Sequence, residues 1–263
     1  MSAPTATAGS IWGRAAFEPI ARGAAASHDA LVEVLGVVPG TRLLDVATGT
    51  GAVALRAAER GAVVTAVDIA ANLVEEARQA AIRFGLSIEF RIADAERLPF
   101  EAASFDAVAS AQGAVFAADR EAVARELARV CKPGGVLGLT CPVAAGFPFE
   151  LARILASFRA GTREAWFRPF AWGDPAEARR LLGADFELDV EELAAPFCVP
   201  TPHEGWHVYR ESFGPLADLH GSLGPAGSAE LRLRVIELLR RYVTPDSVVA
   251  PRPLLLVVGR RRA

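Results

Sequence analysis

Three aspartates and two glycines in the N-terminal half have the types and spacing expected of a nucleotide site. Asp45 lies in the run LLDVATGTG, which contains Gly49 and Gly51. Glycines at a turn from strand to helix let the backbone approach a ligand, and the helix N-terminus offers unpaired N–H groups. Asp68 ends the next apolar run, where a carboxylate can accept hydrogen bonds from both ribose hydroxyls. Asp94 ends the run after that.

A second chemical pattern lies far from the first. The segment from His203 to His207 reads HEGWH and matches H-E-x-x-H, in which two histidines bind zinc and the glutamate activates water. The longer version of this pattern would need glycine and histidine where Arg210 and Phe213 stand. A zinc hydrolase therefore stays an alternative, but we predict no metal site.

Short apolar runs that alternate with helical patterns must position these residues. The predicted strands are Arg42–Ala47, Ala62–Asp68, Ile88–Asp94, Phe105–Ser110 and Val136–Cys141, and the predicted helices include Leu73–Phe84 and Arg120–Cys131. Such alternation predicts parallel strands joined by right-handed crossovers, which is the α/β doubly wound class. Asp68 and Asp94 then end their strands and Asp45 lies near the end of its own, at the sheet edge where ligands bind in open α/β sheets.

The segments around this core are expected to complete a single domain over residues 1–263. Residues 1–40 form a helical arm or lid, 41–141 the core, 142–247 a helical cap with later core elements, and 248–263 a final strand and tail. Within the cap the patterns predict helices at 175–182, 203–213 and 228–242, and a strand within 186–199.

The composition of the chain limits the classes of binding partner and the cellular location that can be expected. A formal net charge of -3 gives no general attraction for a polyanion, so we expect no nucleic-acid partner. The sequence has no uninterrupted apolar run of about 18 residues, so no membrane span is expected. Cys131, Cys141 and Cys198 form no CxxC pair, which favours reduced thiols and a cytoplasmic location. The expected partner is a small molecule.

The ordered set DVATGTG, VDIA, ADAERLPF, SFDAV and ELARVCKPGG resembles the class I methyltransferases that use S-adenosylmethionine (SAM). The resemblance is greatest to the ubiquinone-methyltransferase-like group of small-molecule enzymes, and it covers residues 11–141. It implies a Rossmann-like, mostly parallel sheet of seven strands whose last strand is antiparallel. It also implies methyl transfer to a small molecule, with S-adenosylhomocysteine (SAH) as the product. The aromatic content of the cap segments favours a partly hydrophobic or aromatic metabolite as the acceptor. Ala47 departs from the family, whose first glycine usually stands there.

The resemblance also implies a set of cofactor-binding residues. Asp45 and the backbone of 47–51 would hold the methionine part of SAM, Asp68 the ribose, and Ile69 and Asp94 the adenine. Ser110 or Gln112 would face the methyl end. The full set is Asp45, Ala47, Gly49, Gly51, Asp68, Ile69, Asp94, Ala95, Ser110, Gln112 and, in the N-terminal lid, Trp12.

The acceptor side is predicted from the cap. Methyl transfer needs an aligned acceptor and, for some acceptors, a base. His207, followed by His203, is the predicted catalytic residue, and Tyr209 and His28 are further candidates. The residues expected to wall an apolar pocket are Trp166, Phe167, Phe170, Trp172 and Trp206, with Arg163 and Arg168 as candidate carboxylate ligands.

Two further alternatives stay open. GTGAVA followed by Asp68 also fits a loose dinucleotide pattern, so a nicotinamide-dependent oxidoreductase is one. Short-chain dehydrogenase chemistry is excluded, because the single lysine, Lys132, has Ala128 where that chemistry needs tyrosine. The other alternative is a protein that binds SAM without transferring its methyl group.

Overall fold

The computed structural model describes residues 8–13, 20, 23–159 and 163–263. The strands of this part are β1 (Arg42–Val46), β2 (Val63–Asp68), β3 (Ile88–Ile92), β4 (Phe105–Ala111), β5 (Cys131–Pro142), β6 (Phe186–Ala194), β7 (Phe197–Val199), β8 (Val248–Ala250) and β9 (Pro253–Arg261). The helices are α1 (Ala8–Trp12), α2 (Ala25–Val34), α3 (Ala52–Glu59), α4 (Ala71–Arg83), α5 (Arg120–Val130), α6 (Gly146–Phe158), α7 (Arg163–Ala171), α8 (Pro175–Leu182), α9 (Pro202–Ser212), α10 (Gly214–Ser222) and α11 (Pro225–Arg240).

Seven of the described strands form one sheet, in the order β3-β2-β1-β4-β5-β9-β6. Strands β1 to β5 run parallel to one another, whereas β9 lies antiparallel to both β5 and β6. This arrangement confirms the Rossmann-like sheet, including its antiparallel last strand. Strand order reverses between β1 and β4, which is the switch point where open α/β sheets bind ligands.

Helices cover both faces of the sheet. On one face α2, α3 and α4 bury Leu31, Val53 and Val74 in one apolar cluster. On the other face α5 and α8 bury Leu127 and Leu182 in a second cluster. Because the central strands are covered on both sides, they read as continuous apolar runs.

A third apolar cluster holds the cap together. It joins residues of α6, α9, α10 and α11 with the two-stranded sheet of β7 and β8. Within the described ranges, no helix is both long and apolar enough to cross a membrane.

Two predicted strands differ from the structure. The pattern predicted β5 from Val136, but the strand begins at Cys131 and its register with β4 shifts between Cys131 and Val136. Gly134 has a φ of 76°, so the KPGG segment is an irregularity inside the strand rather than a turn before it. The single strand predicted within 186–199 is two strands, β6 and β7, which belong to different sheets.

Candidate active site

A cavity of about 440 Å³ opens at the carboxyl ends of the parallel strands, and we call it the strand-end cavity. Its wall comes from the segments that follow β1, β2, β3 and β4, together with α1 and α7. Nine of the predicted cofactor residues line it: Trp12, Asp45, Ala47, Gly49, Asp68, Ile69, Asp94, Ala95 and Gln112.

Asp45 is a buried carboxylate with one uncommitted oxygen. Its Oδ2 accepts hydrogen bonds from Thr48 Oγ1 at 2.6 Å and from the Ala54 backbone N–H at 3.1 Å. Its Oδ1 is buried and has no hydrogen-bond partner among the described residues. Burial raises the pKa of this carboxyl to about 7, while the bonds from Thr48 and Ala54 act in the opposite direction. An orphaned buried oxygen in a cavity wall suits a cationic ligand group.

Asp68 is fixed by the backbone on both of its oxygens. Oδ2 accepts from the Gly49 N–H at 2.8 Å and Oδ1 from the Ala70 N–H at 2.9 Å. Burial raises the pKa of Asp68, and these backbone hydrogen bonds oppose that shift. Each carboxylate oxygen accepts more than one hydrogen bond, so the fixed carboxylate still offers acceptor sites to a pair of ligand hydroxyls.

Two non-glycine residues with left-handed backbones flank the switch point. Ala47, after β1, and Gln112, after β4, both have a φ of 55°. A Cβ at Gly113 would lie 2.5 Å from the Ala47 carbonyl oxygen, so the two loops pack backbone against backbone. Such strain in non-glycine residues persists where the surroundings over-determine it, and it concentrates at functional sites. The positive φ also explains why the class I methyltransferases, which the sequence resembles, favour glycine at the position of Ala47.

The far end of the strand-end cavity is formed by the loops after β2 and β3. Ile69 lines it with 37% of its surface exposed, which is unusual for isoleucine and leaves an apolar face for a ligand ring. Asp94 Oδ1 accepts from the Glu96 N–H at 2.9 Å, and the Ala95 backbone follows directly. Glu96 Oε1 accepts from the N–H groups of Ala118 and Asp119, which ties this loop to the start of α5.

Two predicted cofactor residues do not line the cavity. Ser110 Oγ donates to the Val46 carbonyl at 2.7 Å and accepts from the Ala114 N–H at 3.0 Å, so it joins β1 to the 3-10 turn Ala114–Phe116. Gly51 has a φ of 87°, and a Cβ there would lie 3.1 Å from Ala77 Cβ. Ser110 therefore supports the site through the hydrogen bonds of its side chain, and Gly51 through its backbone conformation.

A second cavity, of about 350 Å³, adjoins the first and lies under the cap; we call it the cap cavity. The residues that line both cavities are Trp12, His28, Ala111, Gln112, Phe116 and Arg168. The Trp12 ring contacts those of Phe116 and Phe213 edge-on, with centroids 4.7 and 5.8 Å apart. The two cavities thus meet at a junction that α1 helps to cover.

The cap cavity has an apolar wall and a few polar groups. His28, at the junction, is buried, and its Nδ1 has no hydrogen-bond partner in the described part of the chain. Burial lowers the pKa of His28 to about 4, the charges of Arg56 and Arg252 act in the same direction, and that of Asp29 opposes them. His28 is therefore neutral at physiological pH, and a neutral imidazole carries one acceptor nitrogen.

The structure places His207 and His203, the predicted catalytic residues, away from both cavities. Both side chains are exposed and line neither cavity, because α9 turns Trp206 and Tyr209 inward instead. Glu204 has a local role: Thr201 Oγ1 accepts from its N–H at 3.2 Å and lies 3.1 Å from Glu204 Oε2, a capping arrangement. Across the described residues, no group of three potential ligands is placed to hold a metal ion.

The aromatic residues predicted to wall the acceptor pocket divide into two sets. Trp166 and Phe170 line the cap cavity, as Arg168 does. Trp172 and Trp206 are buried in apolar clusters, and Phe167 packs against Phe149. The side chain of Arg163 lies outside the described residues.

The sequence did not indicate Phe116, Arg252 or the side-chain hydrogen bond of Thr48. Phe116 and Thr48 follow strand ends, a position that could have drawn attention to them. Arg252 stands between two prolines before an apolar strand, and nothing in that pattern indicates a buried charge.

The comparisons with known proteins agree with this geometry. Residues 44–139 match the family described as a methyltransferase domain. Over 241 residues the chain is 33% identical to the uncharacterized protein Rv1405c of Mycobacterium tuberculosis, covering 88% of this chain and 85% of that protein. Over 131 residues it is 38% identical to nocamycin O-methyltransferase of Saccharothrix syringae, covering 48% of this chain and 44% of that enzyme. The chain belongs to the SAM-dependent methyltransferase family.

The fold of this methyltransferase also matches solved structures. The YcgJ protein from Bacillus subtilis aligns with a TM-score of 0.63 at 18% identity, and the alignment covers 90% of this chain and 99% of the YcgJ chain. At that identity the likeness supports the fold of the methyltransferase and nothing finer. The nicotinamide oxidoreductase and the zinc hydrolase, kept open from the sequence, are set aside by the family.

Proposed function

We propose that this methyltransferase binds SAM in the strand-end cavity and transfers its methyl group to a small, partly hydrophobic or aromatic metabolite in the cap cavity. The observation that carries the proposal is the meeting of the two cavities at one junction, lined by Trp12, His28, Gln112 and Phe116. In-line transfer needs donor and acceptor in contact and shielded from water, which adjoining cavities under a cap provide.

The strand-end cavity fits SAM by charge and shape. Its charged residues are Asp45, Asp68, Asp94, Glu96 and Arg168, an excess of acids that suits a ligand with a sulfonium and an ammonium group. The orphaned Asp45 Oδ1 would accept from the ammonium group, Asp68 from the ribose hydroxyls, and Ile69 would pack on the adenine.

When bound, SAM supplies an electrophilic methyl group whose bond to sulfur breaks with its electron pair on sulfur, leaving neutral SAH. The chain's own residues then align the acceptor and accept a hydrogen bond from the group that loses its proton on methylation. His28 offers a neutral imidazole at the junction, with one acceptor nitrogen, and Gln112 offers an amide from the loop after β4. Well-oriented reactants gain up to about 7–11 kcal/mol from positioning alone.

The cofactor half of the proposal is tested by calorimetry with SAM and SAH. Asp68→Ala should weaken binding more than tenfold, because a hydrogen bond to a charged group contributes about 1.5–3 kcal/mol. Asp246→Asn, which removes an exposed carboxylate outside both cavities, is the control and should bind normally. Folded wild-type protein that binds neither ligand would contradict the proposal.

The acceptor half needs a screen with methyl-labelled SAM. Small aromatic and partly apolar metabolites and tRNA are offered in parallel, and label transfer is measured. We expect transfer to a small molecule. Label found on tRNA alone, or SAM binding with no transfer to any acceptor, would refute the small-molecule function.

A further inference from the structure

Arg252 carries a buried positive charge in the wall of the cap cavity. Its side chain is 4% exposed, and its Nε and Nη2 donate to the backbone carbonyls of Ala195 and Gly23, each at 2.7 Å. None of the described carboxylates pairs with it within 4.0 Å. The two bonds engage part of a guanidinium group that has five N–H donors. A buried charge without a counter-charge is unfavourable, so the residues around Arg252 leave its charge uncompensated.

The other charged residues of the cap cavity do not supply the missing anion. Arg159 Nη1 lies 3.6 Å from Asp218 Oδ2, so the charges of these two side chains offset each other. Arg168 adds a further positive charge at the junction. The cap cavity is therefore basic, whereas the adjoining strand-end cavity is acidic.

The positive charge of Arg252 acts on polar groups around it. It contributes to the lowered pKa of His28 and opposes the burial that raises the pKa of Tyr209. Both residues line the cap cavity with Arg252. A guanidinium, an imidazole and a phenol thus converge on one otherwise apolar space, an arrangement typical of a ligand site with an orienting polar end.

Resting on the proposed function, we propose that the acceptor is a small organic acid whose carboxylate is bound by Arg252 and is not the group that becomes methylated. Arg252 lines the cap cavity but not the strand-end cavity. The point of methyl transfer lies at the junction of the two, beside His28 and Gln112. A carboxylate that accepts hydrogen bonds from a guanidinium is a weak nucleophile, and a second cation disfavours the approach of a sulfonium. The carboxylate therefore anchors one end of the acceptor and directs the other end to the methyl group.

The experiment compares acids with their neutral amides on the SAH-bound enzyme. The probes are 4-hydroxyphenylacetate, 4-hydroxycinnamate and 3-hydroxydecanoate, each beside its primary amide, and affinity is measured by calorimetry at pH 7.5. We expect at least one acid to bind ten or more times tighter than its amide. Arg252→Gln should remove that preference, and Arg252→Lys should keep part of it, because lysine keeps the charge but not the fork of donors.

Arg240→Gln, which removes an exposed arginine outside both cavities, is the matched control and should keep the full preference. SAH affinity, measured on the same samples, separates this proposal from the cofactor assignment and shows whether Arg252→Gln is folded. A panel in which no acid binds better than its amide would overturn the proposal. So would an acid preference that survives Arg252→Gln, or a methyl ester of the anchoring carboxylate detected by mass spectrometry as the product.

Discussion

The two strand-end aspartates of this site differ in what the protein leaves to the ligand. Asp68 has both oxygens held by backbone N–H groups, whereas Asp45 has one oxygen satisfied and one buried without a partner. The sequence predicts both residues, because Asp68 ends an apolar run and Asp45 lies near the end of another, just before the glycine turn. It does not predict the difference, since the orphaned oxygen depends on the packing of Thr48 and Ala54 around it.

The raised pKa of Asp45 predicts a pH-dependent affinity for SAM. Burial raises this pKa to about 7, so at lower pH the carboxyl is protonated and must lose its proton to pair with an ammonium group. One such proton makes binding roughly eightfold weaker at pH 6 than at pH 7.5. Calorimetry across this range measures the trend, and Asp45→Asn should flatten it. Affinity that rises as the pH falls would contradict the assignment.

Of the four histidines, we expect His28 to contribute to turnover, and we expect no contribution from the exposed His203 and His207 on α9. His28→Asn should lower kcat/KM by about 5- to 150-fold, because a buried hydrogen bond to the acceptor contributes about 1–3 kcal/mol. The His203→Ala/His207→Ala double variant should stay within about twofold of wild type, since exposed changes outside special features cost little. SAM affinity should be normal in all of them. Loss of activity in the double variant alone would reverse the roles.

At the scale of elements, the first five strands could be predicted and the faces of the cap helices could not. The strands end within a few residues of their predicted bounds because buried parallel strands have a strong apolar signal. In α9 the histidine spacing suggested a metal-binding face, but packing against α11 and β7 selects Gly205, Trp206 and Tyr209 as the buried face. Which face of α9 is buried depends on neighbours that are distant in sequence, so the local sequence pattern does not predict it.

Helix α1 gives an element-scale prediction, because Trp12 lines both cavities and packs on Phe116 and Phe213. Trp12→Ala should weaken SAM binding several-fold and raise the KM of the acceptor, since aromatic pairs contribute about 0.5–1.5 kcal/mol each beyond their buried area. Trp12→Phe, which keeps a ring, should recover much of the loss. Both variants are measured by calorimetry and initial rates. Unchanged binding in Trp12→Ala would mean that α1 does not cover the junction.

At the scale of the whole molecule, the C-terminal strand joins the early and late parts of the chain. Strand β9 pairs with β5 over Val136–Pro142 on one side and with β6 over its full length on the other. The cap segments leave the sheet after β5 and the chain returns to it at β6 and β9. The sequence predicted the final strand from PRPLLLVVGRR, and the family resemblance implied its antiparallel direction, but neither predicted its place between β5 and β6.

This interleaving predicts one cooperative unfolding transition that SAH shifts as a whole. A ligand at a hundred times its Kd stabilises the folded state by about 2.7 kcal/mol. For a domain of this size each kcal/mol raises Tm by about 2–4 °C, so the shift should be about 5–10 °C. Scanning calorimetry with and without SAH measures it, and Asp68→Ala should show a much smaller shift at the same ligand concentration. Two separate transitions, of which SAH moves one, would instead mean that the cap folds as its own domain and that β9 does not couple it to the sheet.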